Sequence, residues 1–203
     1  NTYTGAGFRR GDIAMIDRDG NLVRTTGGMG MLPLLHVDAE DCLYTAGFYG
    51  ISAWVLKVDS AGDFLWQVWS LSQMVALPVG LGVDSAGSVY VAGDRVLMKL
   101  DAAGTELWAV TCPVKLARMV YEPAGYLYVT GSSTSGITTA KYDTDGNQIW
   151  VVETAAGAAK DMTLDAAGRV YVAGTVGGAM LVVKYDAGAA GVWGVVHAGG
   201  GLP

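Results

Sequence analysis

The sequence has few of the residues that do most catalytic and metal chemistry. Histidine occurs twice and cysteine twice in 203 residues. Cys42 and Cys112 form no Cys-x-x-Cys pair, which excludes cysteine-cluster metal sites and leaves the redox compartment undecided. No Gly-x-Ser-x-Gly elbow, His-Glu-x-x-His pair or phosphate-binding glycine loop occurs. Basic residues number 13 against 19 acidic ones, for a net charge of −6, and no basic stripe stands ready to neutralise phosphates, so nucleic acid is excluded as a partner. Apolar runs are broken by Gly, Asp or Lys well short of the ~18 residues a membrane helix needs. Proline is also scarce, at 5, whereas glycine reaches 30, a balance that points to many tight turns and not to a low-complexity tail. Charged residues make up 16% and apolar ones 51%, which excludes a disordered chain. At this length ~70% of the unfolded surface can be buried. The chain begins at Asn1, as expected of a processed product or a fragment.

What is abundant is repetition. Val58-Asp59-Ser60-Ala61-Gly62-Asp63-Phe64-Leu65-Trp66 recurs as Leu100-Asp101-Ala102-Ala103-Gly104-Thr105-Glu106-Leu107-Trp108. It recurs again as Tyr142-Asp143-Thr144-Asp145-Gly146-Asn147-Gln148-Ile149-Trp150. Tyr185-Asp186 with Trp193 is a fourth copy, and Ile16-Asp17 through Leu22 is a weaker one, with Arg24 in place of Trp. Asp17, Asp59, Asp101, Asp143 and Asp186 are separated by 42, 42, 42 and 43 positions. A second motif alternates with the first: Val83-Asp84 through Gly93, Tyr121-Glu122 through Gly131, Leu164-Asp165 through Gly174, and more loosely Val37-Asp38 through Gly47. Tyr3-Thr4-Gly5 reads as the tail of a fifth.

Each unit holds four short segments rich in Val, Ile, Leu, Tyr and Trp. In one unit these are Leu116–Tyr121, Tyr126–Thr130, Ile137–Tyr142 and Gln148–Val152. Asp-x-x-Gly closes the hairpins: Asp accepts a backbone N–H two residues on, and Gly supplies the positive φ. No sustained 3.6-residue periodicity with caps is present, so no long helix is expected. Four strands per ~42 residues is the signature of a propeller blade, and solenoid rungs are shorter and seldom carry two hairpins. The expectation is an all-β, five-bladed β-propeller in one domain, with a partial blade at 1–29 and full blades at 30–73, 74–113, 114–157 and 158–200. The hairpin containing 94–99 is expected to be the shortest, because the third strand follows Gly93 almost at once.

The repeat resembles the bacterial β-propeller repeats called SBBP, and its tryptophan is similar to the docking tryptophan of quinoprotein (PQQ-like) propellers. The resemblance runs from Tyr3 to Trp193 and implies a secreted or surface-attached protein. The quinoprotein enzymes have a vicinal cysteine pair, a calcium-chelating set and a longer ring. The sequence has neither residue set, so no cofactor, no metal and no enzymatic activity are expected.

Asp59, Asp101, Asp143 and Asp186, like Asp17, are read as turn formers. Only Asp143-Thr144-Asp145-Gly146 and Asp17-Arg18-Asp19-Gly20 approach a calcium loop, and neither has a following bidentate Glu. Trp66, Trp108, Trp150 and Trp193 are expected on each fourth strand, filling the space between units. Trp54 and Trp69 break the repeat, which makes them the better candidates for an exposed contact, although packing is still preferred for them. Lys57, Lys99, Lys141 and Lys184 precede each turn Asp by two positions; a solvated or locally paired role is preferred over an anion-binding ring. First strands line the axis of a propeller. There, positions 35/37, 81/83, 119/121 and 162/164 are uniformly apolar and expected to face a core. The alternate positions vary, so His36, Arg118 and Asp161 are the candidate binding residues, with Arg118 and Asp161 placed to pair.

The reading of function is a non-catalytic, extracellular or cell-surface scaffold that binds a protein partner or copies of itself. The alternative is a lectin-like propeller with a shallow carbohydrate site per blade, and a quinoprotein-type fragment ranks third. The order of motifs leaves the first unit without its inner strand. Residues beyond these termini or a neighbouring chain are expected to supply it, because an unpaired edge invites strand addition.

Overall fold

The computed structural model describes residues 13–16, 21–26, 31–50, 52–69, 71, 77–155 and 157–197. Every regular element among them is a strand. A two-stranded ribbon pairs β1 (Ile13–Ile16) with β2 (Leu22–Thr26). Sheet I comprises β3 (Met31–Val37), β4 (Leu43–Tyr49), β5 (Ser52–Val58) and β6 (Phe64–Trp69). Sheet II comprises β7 (Pro78–Val83), β8 (Val89–Gly93), β9 (Val96–Leu100) and β10 (Glu106–Thr111). Sheet III comprises β11 (Lys115–Glu122), β12 (Tyr126–Ser132), β13 (Gly136–Asp143) and β14 (Gln148–Ala155). Sheet IV comprises β15 (Ala158–Leu164), β16 (Val170–Val176), β17 (Ala179–Tyr185) and β18 (Gly191–His197). Each sheet is an antiparallel meander in chain order, the topology of a propeller blade. The first strands β3, β7, β11 and β15 lie next to one another in succession.

Five blades were expected, and the described residues form four four-stranded sheets and one ribbon. The ribbon matches the third and fourth strands of a unit, since in the sequence its two strands flank the Asp17 motif. Tyr3–Ala6, the Asp17 turn itself and Gly199–Pro203 lie outside the described residues. The β8–β9 hairpin has five-residue strands, against at least seven residues in the corresponding strands of the other sheets.

The Asp turns form as their chemistry dictates. Asp59 Oδ1 accepts the N–H groups of Ala61 at 3.0 Å and Asp63 at 2.7 Å, and Asp84, Asp101, Asp143, Asp165 and Asp186 repeat the pattern. The residue three after the Asp closes the turn in the left-handed region, with φ of 81° at Gly62 and 86° at Gly104. In the last turn that residue is Ala189, at φ 73°. A Cβ is strained there, so Ala189→Gly is expected to raise stability by about 0.5–1 kcal/mol, read as a higher denaturant midpoint with an unchanged slope.

The cores lie between sheets. Leu97, Tyr90 and Ala92 of sheet II pack with Met119, Leu127, Val129 and Tyr142 of sheet III. Sheets I and II share a cluster through Tyr44, Val55, Val91 and Met98, and sheets III and IV share one through Ile137, Met162, Val172 and Val183. The inner strands come closest at Gly80 and Gly82, where an added Cβ would stand 2.3 Å from Met119 Cβ and 2.4 Å from Tyr121 Cβ. Sheets I, II and III thus each have an outgoing face, which covers the incoming face of the next.

One expectation about the core needs correction. Leu81, Met119 and Met162 are covered by the preceding unit, but Leu35 is 62% and Val37 57% exposed. Alternation told correctly which face they occupy. It could not tell whether a strand lies opposite. Further out on the same sheet, Trp54, Leu56 and Val58 are buried, so the opening is confined to the inner rim.

Candidate functional site

The repeated side chains meet at the junctions between sheets. Trp66 Nε1 donates to the Ala102 carbonyl of the next sheet at 2.9 Å, Trp108 to Thr144 at 3.2 Å, and Trp150 to Ala187 at 3.3 Å. Each acceptor belongs to an Asp turn of the following unit. Glycine lets the indole approach: a Cβ on Gly104 would stand 3.0 Å from Trp66 Cε3, and one on Gly146 3.2 Å from Trp108 Cδ2. Trp193 holds the same register in sheet IV, opposite Lys184. Trp54 is buried and packs 6.1 Å from Trp69, which is 43% exposed.

A second set lies along the first hairpins. The Tyr90 hydroxyl donates to Asp84 Oδ2 at 2.9 Å, Tyr128 to Glu122 Oε2 at 3.1 Å, and Tyr171 to Asp165 Oδ2 at 3.0 Å. Burial first, and then the adjacent acid, push the Tyr90 and Tyr128 phenols far up. The repeated lysines sit across the strand from these tyrosines, with Nζ 4.8 Å from the Tyr44 ring centre at Lys57, 5.2 Å from Tyr90 at Lys99, 5.0 Å from Tyr128 at Lys141 and 5.1 Å from Tyr171 at Lys184. An ammonium over an aromatic face is held by the ring quadrupole. Lys141 also lies 3.7 Å from the Tyr126 ring and is itself buried. The lysines therefore belong to the walls of separate junctions, and the pairing with tyrosine, which is across the strand, left no signal in sequence spacing.

The three axial candidates do not converge. Arg118 Nε lies 3.3 Å from Asp161 Oδ1, joining β11 to β15, with side chains 45% and 67% exposed. A pair so open to water contributes roughly 0–1 kcal/mol. Asp161 also accepts the Met162 N–H at 2.9 Å. His36 is on sheet I, edge-on to Tyr44 at 6.5 Å; burial lowers its pKa and the Asp38 charge partly offsets this.

Two clefts open between neighbouring first hairpins. One, of about 250 Å³, is lined by Asp38, Glu40, Tyr44 and Lys57 of sheet I and by Asp84 and Ser85 of sheet II. The other, of about 480 Å³, lies between the 122–124 turn and the 163–166 segment. At the junction between them Tyr121 stacks on Tyr90, centroids 5.3 Å apart. Asp38, Glu40 and Cys42 bring one ligand atom each to within 4.8 Å of one another, an arrangement that sequence analysis missed. Their alternate spacing across a turn matches no established metal signature. The available signal was departure from the repeat, because the matching turn of sheet II has Ala86 and Ser88. Burial, then the Asp38 charge, push the Cys42 thiol up.

The fold matches solved structures. BamB from Moraxella catarrhalis is similar at 13% identity with a TM-score of 0.69, over 91% of this chain and 58% of that one. A protein of unknown function from Bacteroides caccae is similar at 14% identity with a TM-score of 0.62, over 90% of this chain and 74% of that one. The chain thus spans less than two thirds of the BamB chain. No family model and no curated protein matches the sequence. The protein is an all-β repeat protein of the β-propeller type. Among the described residues no helix is long and apolar enough to cross a membrane.

Proposed function

We propose that the protein is a non-catalytic interaction scaffold that works outside the cell or at its surface and associates with copies of itself through the open ends of its row of sheets. In this reading residues 1–29 form the incomplete first of five blades, and the ring is left open between that blade and sheet IV. One observation carries the proposal. Ile137 on the outgoing face of sheet III is fully buried against sheet IV, where a Cβ on Gly174 would meet its Cδ1 at 2.9 Å. The residue at the same register in sheet IV is Met180, which is 53% exposed. Val195 repeats the point: it matches Val152, which packs against its neighbour, yet is 54% exposed. At the other end Leu35 and Val37 are more than half exposed on the inner strand of sheet I. Large apolar side chains in these positions mark a contact surface. A contact between two different ends repeats head to tail, so it propagates unless the rotation closes a ring.

Sedimentation velocity at rising protein concentration tests this. The expected result is a mass that grows with concentration, and a shift towards monomer for Met180→Asp with Val195→Asp. A monomer at every concentration, or association unchanged by the double substitution, would overturn it.

A further inference from the structure

We propose that Asp38, Glu40 and Cys42 form a binding site for a thiophilic divalent cation of the zinc type, at the edge of the cleft between sheets I and II that Asp38 and Glu40 line. The three ligand atoms already lie within 4.8 Å of one another. Donors around tetrahedral zinc stand about 3.3–3.8 Å apart, given metal bonds of about 2.0–2.3 Å. A bound cation would draw the donors together by up to about 1.5 Å. Asp38 is fixed for the role, since its Oδ1 accepts the N–H groups of Glu40 and Cys42, each at 2.9 Å, leaving Oδ2 for a cation. The thiol gives up its proton to solvent as the sulfur–metal bond forms.

A second observation is independent of the acidic cluster. The Tyr44 side chain is fully buried, lines the same cleft, and its hydroxyl has no hydrogen-bond partner. In sheets II, III and IV the matching hydroxyl donates to the acid six residues earlier. Asp38 and Lys57 are near enough to Tyr44 to act on its ionisation, but neither makes a bond of the sister geometry. A buried hydroxyl left without a partner is destabilising, because it gives up its water and gains nothing in return. A water on the fourth position of the cation would satisfy it, as outer partners commonly do at metal sites.

The repeat supplies the controls. Glu40 stands where the sister turns have Ala86, Ala124 and Ala167, and Cys42 where sheet II has Ser88. Glu40→Ala and Cys42→Ser therefore restore residues that already fold in this setting. The experiment is titration of the full chain with zinc followed by calorimetry, and with cobalt followed by absorption, with Cys112→Ser as the second-thiol control. The expected result is one equivalent bound and a thiolate-to-cobalt band that persists in Cys112→Ser and disappears in Cys42→Ser. Glu40→Ala should weaken zinc binding by at least about tenfold. Absence of the band, zinc affinity unchanged in Glu40→Ala, or equal loss in Cys112→Ser would overturn the proposal. Glu40→Ala keeps the test decisive even if Cys42→Ser fails to fold.

Discussion

Trp108→Ala is expected to destabilise the protein by about 3 kcal/mol, the low end for deleting a large aromatic because the indole is only partly buried. The indole packs with the cluster shared by sheets II and III, lies against the backbone at Gly146, and donates to the Thr144 carbonyl at 3.2 Å. Its removal opens a cavity and leaves the Asp143 turn without its lid. For a chain of this length the melting temperature should fall by about 6–12 °C. Trp108→Phe keeps most of the packing and loses the hydrogen bond, so it should cost about 1 kcal/mol. Calorimetry on the three proteins checks the order. Equal losses for Ala and Phe would show that the hydrogen bond, and not the packing, holds the junction.

Gly80→Val is expected to cost about 3 kcal/mol or more, by the opposite mechanism. Glycine here is required by proximity and not by conformation. An added Cβ would lie 2.3 Å from Met119 Cβ and 3.0 Å from Met119 Cα, and backbone cannot turn aside as a flexible side chain can. Sheets II and III must separate to accept it, which also disturbs the Tyr90–Tyr121 stack. The same substitution at Gly191, where a Cβ meets nothing within 4 Å, should be nearly neutral. Denaturant unfolding of both variants separates crowding at the junction from the general cost of replacing glycine in a strand.

The architecture was legible because a repeat states its own period. Spacing of the Asp turns gave the unit, and alternating apolar segments gave the strands. The Asp-x-x-Gly turn could be derived from local chemistry, since Asp59 and its counterparts bond within four residues. Contacts across strands were not legible. Lys141 lies 13 positions from Tyr128 and 15 from Tyr126, and nothing in the local sequence marks it as sitting over their rings. Leu35 and Val37 show a different limit: alternation assigns a residue to a face, but exposure depends on whether another strand is present opposite. The candidate site was legible only as deviation. Glu40 and Cys42 differ from Ala86 and Ser88, and a repeat makes such differences visible without saying what they bring together.

The central claim, head-to-tail association through two different ends, is tested most directly by mixing two blocked variants. Leu35→Asp blocks one end, and Met180→Asp with Val195→Asp blocks the other. The account predicts that each is monomeric alone at concentrations where the unmodified chain associates, and that an equimolar mixture forms a one-to-one dimer and nothing larger. A mixture that stays monomeric, or a blocked variant that associates alone as the unmodified chain does, would contradict it.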